Sequence, residues 1–390
     1  MQQIIVSLSI QNIVNQYQNS AKISQILKQL QQEKNHFQIS NLVGSSLSFV
    51  ISETFKKVNK PYLLIFNDKE EAAYYLNDLE QLLGDKNVLF YPSSYRRPYQ
   101  IEETDNANVL LRSEVLNRIN SQKKPAIIIT YPTALFEKVV TKKELEKNTL
   151  KITVGEHLSL DFVNEVLFEY HFNRVDFVTE PGEFSVRGGI IDVFSFSNDA
   201  PYRIEFFGDE IDSIRTFDIE TQLSKEKLKK ASIMPNVENK KGQDHRESFL
   251  KYISSKTIVF VKNIDLLSDN LDKFFNKAED TFKDLSKEIK HTKPSELFCD
   301  GNFIKDELQH FTLVHFGSGN RPHRFLKPVR SDIVFNTKPQ PSFNKQFNLL
   351  IDDLNEHHKA GFTNYIFCAN EKQAQRFHDI FEADTEFSRS

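Results

Sequence analysis

Tryptophan is absent, glycine is scarce at 12 of 390 residues, and cysteine occurs only at Cys299 and Cys368. Two thiols so far apart exclude a disulfide framework and a cysteine-rich zinc site, and they suit a reducing compartment. So little glycine excludes a chain that relies on several phosphate-cradling loops. No apolar run approaches the ~18 residues a membrane helix needs; the longest are short stretches such as 126–129. The first residues lack a basic region, and Gln and Asn interrupt their apolar positions, so no export signal is visible and a cytoplasmic location is expected. With 50 Lys+Arg against 54 Asp+Glu, a net charge of −4, there is no global field for a polyanion, and any nucleic-acid contact must be local. What the chain has in quantity is phenylalanine, 34 residues, and enough length for two or three domains at roughly 150 residues each.

The first third alternates helical and strand periods. Ile23, Ile26, Leu27 and Leu30 share one face of a helix over 21–32, a short extended segment covers 37–43, and 45–58 reads as a second helix. Residues 62–66 form a buried-type strand leading to Asp68, whose carboxylate can cap the next helix while Glu71 closes a capping box; that helix stops at Gly84. Apolar runs at 88–91 and 126–130 flank a helical stretch at 105–119. Strands that alternate with helices and lack period-2 amphipathicity predict a parallel sheet covered on both faces, the organisation of a nucleotide-binding α/β domain.

The pattern changes near Lys142. A helix over 159–170 precedes short strands separated by Pro181-Gly182, which fits a type II turn, then Gly188-Gly189 and Gly208-Asp209. Antiparallel pairing follows, and with it a compact α+β insert. From about Ser232 the α/β style resumes, with a strand at 257–261, a charged helix over 269–290 and late strands at 313–316 and 333–335. Pro339 and Pro341 mark a linker, followed by a helix at 349–359, a strand at 364–368 and a helix at 371–381. The expected division is 1–141 and 232–338 for the two parts of the α/β domain, 142–231 for the insert, and 339–390 for a linker and the start of a third domain. That last unit is too small to bury its own core, so the chain is expected to be an N-terminal fragment of something longer.

In a nucleotide-hydrolysing α/β domain the first core strand runs into GxxxxGK[ST], whose backbone N–H groups and lysine hold phosphates. Here that position reads Gly44-Ser45-Ser46-Leu47-Ser48, with neither the lysine nor the second glycine. The helix start could hold an anion weakly. The plainer alternative is a serine-capped helix, which the missing positive charge favours. The strand at 257–261 could serve as a Walker B strand, yet it ends in Lys262-Asn263 where paired carboxylates would hold Mg²⁺. No nucleotide hydrolysis, catalytic residue, metal site or cofactor is expected in this segment. His357-His358 point about 100° apart on a helix and cannot chelate together. Arg96-Arg97 between Tyr95 and Tyr99 could stack single-stranded nucleic acid, or be an ordinary loop.

Residues 182–218 are the most informative. Strand alternation sends Tyr202, Ile204 and Phe206 to one face, against the helix at 159–170, and Arg203, Glu205 and Phe207 to the other. The second face has the composition that protein–protein hot spots favour; a charged, solvated strand face is the plainer alternative.

The stretches PGEFSVRGGIIDVF and PYRIEFFGDEIDSIRTFD, with Thr221-Gln222-Leu223-Ser224 behind them, resemble the module shared by the excinuclease B subunit (UvrB) and the transcription-repair coupling factor (Mfd). Residues 335–350 look like the coupling factor's third-domain boundary. The degenerate phosphate loop, and the short 91–100 connection where the excinuclease subunit has a tyrosine-rich hairpin, both point to the coupling factor. The resemblance implies a degenerate P-loop, helicase-like parallel-sheet domain interrupted by an insert that docks the damage-recognition ATPase UvrA. It carries the interface onto Arg174, Arg187, Arg203 and Glu205, with Phe206 in a supporting role. Ser185 stands where the excinuclease subunit has another arginine, so one charged contact is expected to be missing. ATP and Mg²⁺, RNA polymerase and double-stranded DNA belong to downstream parts of the full-length family protein, and a contact between the insert and a later domain of the same chain is compatible with docking. The competing reading is an active excinuclease-B-like ATPase that grips damaged DNA.

Overall fold

The computed structural model describes residues 10–94, 105–121, 124–196, 198, 200–236, 245–284, 292–317, 331–344, 346–366, 368 and 370–383. The chain divides into two units, Met1–Thr337 and Lys338–Ser390.

Seven strands of the first unit, β1 (His36–Ser40), β2 (Tyr62–Ile65), β3 (Val88–Phe90), β4 (Ile127–Thr130), β15 (Ile258–Val261), β16 (Thr312–Gly317) and β17 (Asp332–Val334), form one sheet in the order β17-β1-β16-β15-β2-β4-β3. Every neighbouring pair is parallel, as the uninterrupted apolar runs predict. β2, β4 and β15 are buried along their whole length. From β1 the chain crosses towards β2, whereas from β16 it crosses the other way to β17, so the sheet has its topological switch point between β1 and β16. In open α/β sheets the crevice at the carboxyl ends of such strands is where ligands bind. The loop carrying Gly44 leaves β1 at that crevice.

Local signals set the helix ends. Asp68 accepts a hydrogen bond from the Glu71 amide at 2.8 Å and starts helix Lys69–Leu83, which ends at Gly84 with φ +82°. The capping box is displaced by one residue: Glu71 takes the Asn67 amide at 3.3 Å instead of the amide of Asp68. The charged helix begins earlier than the sequence predicts, at Ile264, because Asn263 accepts the Leu266 amide at 2.9 Å; the expected tail at 285–290 lies outside the described residues. This helix meets helix Gly301–Leu308 so closely that a Cβ at Gly301 would stand 2.3 Å from Ser268 Oγ.

Two short antiparallel pairs, β5 (Val139–Val140) with β14 (Arg246–Glu247) and β6 (Leu150–Thr153) with β13 (Lys230–Ile233), join the outgoing and returning chain. Beyond them lies a six-stranded sheet in the order β12-β11-β10-β9-β8-β7, built from β7 (Asn173–Arg174), β8 (Glu183–Arg187), β9 (Ile190–Val193), β10 (Tyr202–Phe207), β11 (Glu210–Phe217) and β12 (Ser224–Leu228). All its pairs are antiparallel except the edge pair β7–β8. Gly182 has φ +90° and the Glu183 amide reaches the Glu180 carbonyl at 3.2 Å, the type II turn expected of Pro181-Gly182. Val163 and Leu167 of helix Leu160–Glu169 pack with Phe184, Ile191, Val193, Ile204 and Ile214 in a core separate from that of the large sheet. Burying each such side chain contributes about 1.5–3 kcal/mol, so the insert has a core of its own.

In the second unit, helices Phe347–Lys359 and Glu371–Ala383 are present. The strand expected over 364–368 is not: residues 364–366 and 368 form no strand. No other strand lies in this unit among the described residues, and an extended segment needs a neighbour to take its backbone hydrogen bonds.

Candidate functional site

On β10 the burial alternates as expected. Tyr202 and Ile204 are buried and Phe206 packs partly buried on the insert core, whereas Phe207 is 82% exposed. The alternation survives a bulge between Glu205 and Phe206, where the partner in β11 jumps from Ser213 to Ile211. Arg203 and Glu205 therefore share the opposite face. The register lines up Ser185, Asp192, Arg203, Arg215 and Lys227 across five strands, with Arg187, Ile190, Glu205 and Ser213 in the next row.

Arg203 and Glu205 do not pair with each other; each is bound across the sheet. The Asp192 carboxylate, whose side chain is 1% exposed, accepts from Arg203 Nε at 2.7 Å and Nη2 at 2.8 Å. Arg203 Nη1 donates to the Gln222 carbonyl at 3.1 Å, and the guanidinium lies 4.6 Å from the centre of the Phe217 ring. The hydrogen bond to Asp192 raises the Arg203 pKa above its ordinary value against the opposing effect of burial. Glu205 accepts from Ser213 Oγ at 2.6 Å and is ion-paired with Arg215; these contacts hold its carboxyl below the usual range, the serine contributing most.

Arg187 also reaches Asp192, through Nη2, but its side chain is 43% exposed, with Nη1 3.4 Å from the Asp176 carbonyl and the guanidinium 5.4 Å from the centre of the exposed Phe177 ring. Arg174, in the edge strand β7, is exposed. A shallow groove runs between Arg174 and Arg187. On its floor Ser185 is 2% exposed and donates to the Asp176 carbonyl at 3.1 Å. Sequence reasoning missed Asp192, Arg215 and Phe177 as parts of this face. A carboxylate alone in the run Ile-Ile-Asp-Val-Phe was the available signal, since a buried acid in an apolar strand requires a cation.

At the switch point the hydroxyls of the phosphate-loop position are all turned to other partners. Ser45 Oγ is 2.8 Å from Tyr74 Oη, Ser46 Oγ donates to the Val43 carbonyl at 2.6 Å, and the buried Ser48 donates to Asp78 at 2.9 Å. Ser45 occupies the N-cap position of helix Ser46–Val58, but its side chain makes no capping bond, contrary to the serine-capped start the sequence suggests. Tyr75 donates to the Gly44 carbonyl at 3.4 Å and stacks on Phe66 with ring centres 4.5 Å apart; burial, with Glu71 and Asp78 nearby, pushes its phenol up to about 12. At the end of β15, Lys262 is ion-paired with Glu71. Among the described residues no group of His, Cys, Asp and Glu is arranged to hold a metal ion, and no helix is long and apolar enough to cross a membrane. The Tyr95–Tyr99 segment lies outside the described residues. Just before it, Ser94 bonds the buried Glu137 through its amide at 3.0 Å and its hydroxyl at 2.6 Å, and Glu137 faces the fully buried Arg112 at 3.4 Å.

Residues 150–238 match the family described as the UvrB interaction domain. The chain is 34% identical over 201 residues to a transcription-repair-coupling factor of Bacillus subtilis, covering 51% of this chain and 17% of that protein. It is 33% identical over 223 residues to one from Staphylococcus aureus, covering 53% and 19%, and 27% identical over 204 residues to one from Haemophilus influenzae, covering 52% and 18%. The chain thus spans less than a fifth of the length of these relatives. It is similar to the N-terminal region of transcription-repair-coupling factors, with a UvrB-like interaction domain set into an α/β body.

Proposed function

We propose that this chain, a region of the coupling-factor type with a UvrB-like interaction domain, recruits UvrA through the outer face of its six-stranded sheet and does not hydrolyse ATP. The observation that carries the proposal is the arginine-bearing outer face on a rigid sheet, with Arg187 exposed on it and Arg174 exposed at the sheet edge, inside the segment that matches the UvrB interaction domain. Guanidinium groups held in fixed positions offer forked donors to partner carboxylates, and the pairing of Glu205 with Arg215 adds a charge pattern that can fix register. Phe206 supports the strand from the core side. In the full-length family protein the same recruitment would bring UvrA to RNA polymerase stalled at damage, with ATP, Mg²⁺ and double-stranded DNA handled by regions outside this chain. A resting contact between this face and a later domain of the same protein is consistent with that role.

The absence of hydrolysis is supported by the phosphate-loop position, where Tyr74 and Tyr75 contact Ser45 and Gly44, and by the Lys262–Glu71 ion pair between the end of β15 and the helix after β2. The division into an α/β domain at 1–141 and 232–338, an insert at 142–231 and a third unit from 339 accompanies this reading. Binding of the chain to purified UvrA at physiological salt tests it. Arg187→Glu is expected to weaken the complex by about tenfold or more without unfolding the insert. Unchanged affinity in that variant would remove the face from the interface.

A further inference from the structure

The arginines of the outer face are not equivalent. Asp192 sits between two core residues, Ile191 and Val193, and a carboxylate so enclosed is tolerated only with its charge compensated. Arg203 supplies most of that compensation. Its Nε and Nη2 take both carboxylate oxygens, its Nη1 takes the Gln222 carbonyl, its guanidinium lies over the Phe217 ring, and only 16% of the side chain is exposed. Arg187 touches the same carboxylate with one nitrogen, on the Oδ2 that Arg203 Nη2 also contacts, and leaves 43% of its side chain open beside Phe177.

We infer that Asp192 and Arg203 form a brace that positions Arg187, and that Arg187, not Arg203, meets an acidic side chain of the partner. With Arg203 satisfying Asp192, Arg187 gives the carboxylate only one of its nitrogens, places Nη1 3.4 Å from the Asp176 carbonyl, and leaves 43% of its side chain open to a partner. Without Arg203, Arg187 is the remaining cation beside a buried carboxylate, and electrostatics draws it into the sheet and away from the partner. The inference rests on the recruitment reading, and it makes Arg203 a positioning residue.

The test is a double-mutant cycle on the full 390-residue chain, with affinity for purified UvrA as the readout and thermal unfolding as the check on folding. Arg203→Gln should weaken binding about tenfold when Arg187 is present and by less than about twofold when Arg187 is already alanine, because the two residues then act through one contact. If Arg203→Gln unfolds the insert, the nearly isosteric Asp192→Asn takes its place in the cycle: it removes the carboxylate that anchors Arg187, so its loss of affinity should likewise appear only when Arg187 is present. Equal losses in both backgrounds would mean that Arg203 touches the partner itself, and no loss in either would mean that there is no brace; each result overturns the inference and leaves recruitment standing. Full affinity in both Arg187→Ala and Arg174→Glu would instead overturn the recruitment reading.

Discussion

Lys262, at the end of β15, is ion-paired with Glu71, in the first turn of the helix that follows β2, across 191 residues of sequence. The pair closes the carboxyl ends of two neighbouring strands with charges that satisfy each other. In a nucleotide-hydrolysing domain the lysine would come from the loop after β1 and a carboxylate from the end of β15. Here a lysine stands at the carboxylate's place and its partner lies on a third element.

Nucleotide should therefore leave the chain unaffected. A site with a dissociation constant near 1 μM would stabilise the protein by about 4 kcal/mol at about 1 mM ligand. Thermal unfolding with and without Mg-ATP is expected to give the same midpoint, and titration calorimetry no saturable heat in the micromolar range. A clear upward shift would show that the Gly44 loop opens to phosphate.

The Arg112–Glu137 pair should be among the costliest to break. Arg112 is fully buried, with Nη1 2.9 Å from the Pro92 carbonyl and its guanidinium 4.3 Å from the centre of the Tyr91 ring. Glu137→Ala removes the carboxylate that faces this buried charge and frees the Ser94 amide, at a cost of about 3–5 kcal/mol. Urea unfolding would read this directly; a loss below about 1 kcal/mol would mean that water or a rearranged neighbour replaces the carboxylate.

Acid should weaken the insert through Glu205. Its folded pKa is depressed, so its contribution is complete above the ordinary carboxyl value and is lost as pH falls through the lower folded one. Glu205→Gln should narrow the difference in urea midpoint between about pH 7 and about pH 3. The side chain is 27% exposed, so solvent screening keeps the effect small. Identical acid limbs in the two proteins would contradict the depressed value.

The two thiols should react very differently. Burial pushes the Cys299 thiol up to about 12, whereas Cys368 is partly exposed. A thiol-titrating disulfide reagent near neutral pH should modify Cys368 promptly and reach Cys299 only after denaturant is added. Rapid modification of both in the native protein would show that the Phe136–Phe298 stack beside Cys299 opens readily.

Much of the architecture is legible in the sequence. Strands with both faces covered must be apolar throughout, so Tyr62–Ile65 and Ile258–Val261 announced a parallel sheet. A half-buried strand must alternate, so Tyr202, Ile204 and Phe206 face inward and Phe207 outward. The missing lysine after Gly44 gives, by simple electrostatics, the expectation that the Mg-ATP titration tests.

The partners of the charges were not legible. Asp192 lies 11 residues from Arg203 and meets it only because the hairpin register sets them opposite each other. Glu205 turned to Arg215 by the pairing of β10 with β11, Lys262 found Glu71 by the order of strands in the sheet, and Ser45 and Ser48 were claimed by a helix about thirty residues away. Periodicity and capping are properties of a few consecutive residues, so local chemistry dictates them. An ion pair depends on strand register and on which elements become neighbours, and a slip of one residue would turn every side chain of a strand to its other face. For that reason the division of labour among the arginines emerged only when the strands were laid side by side.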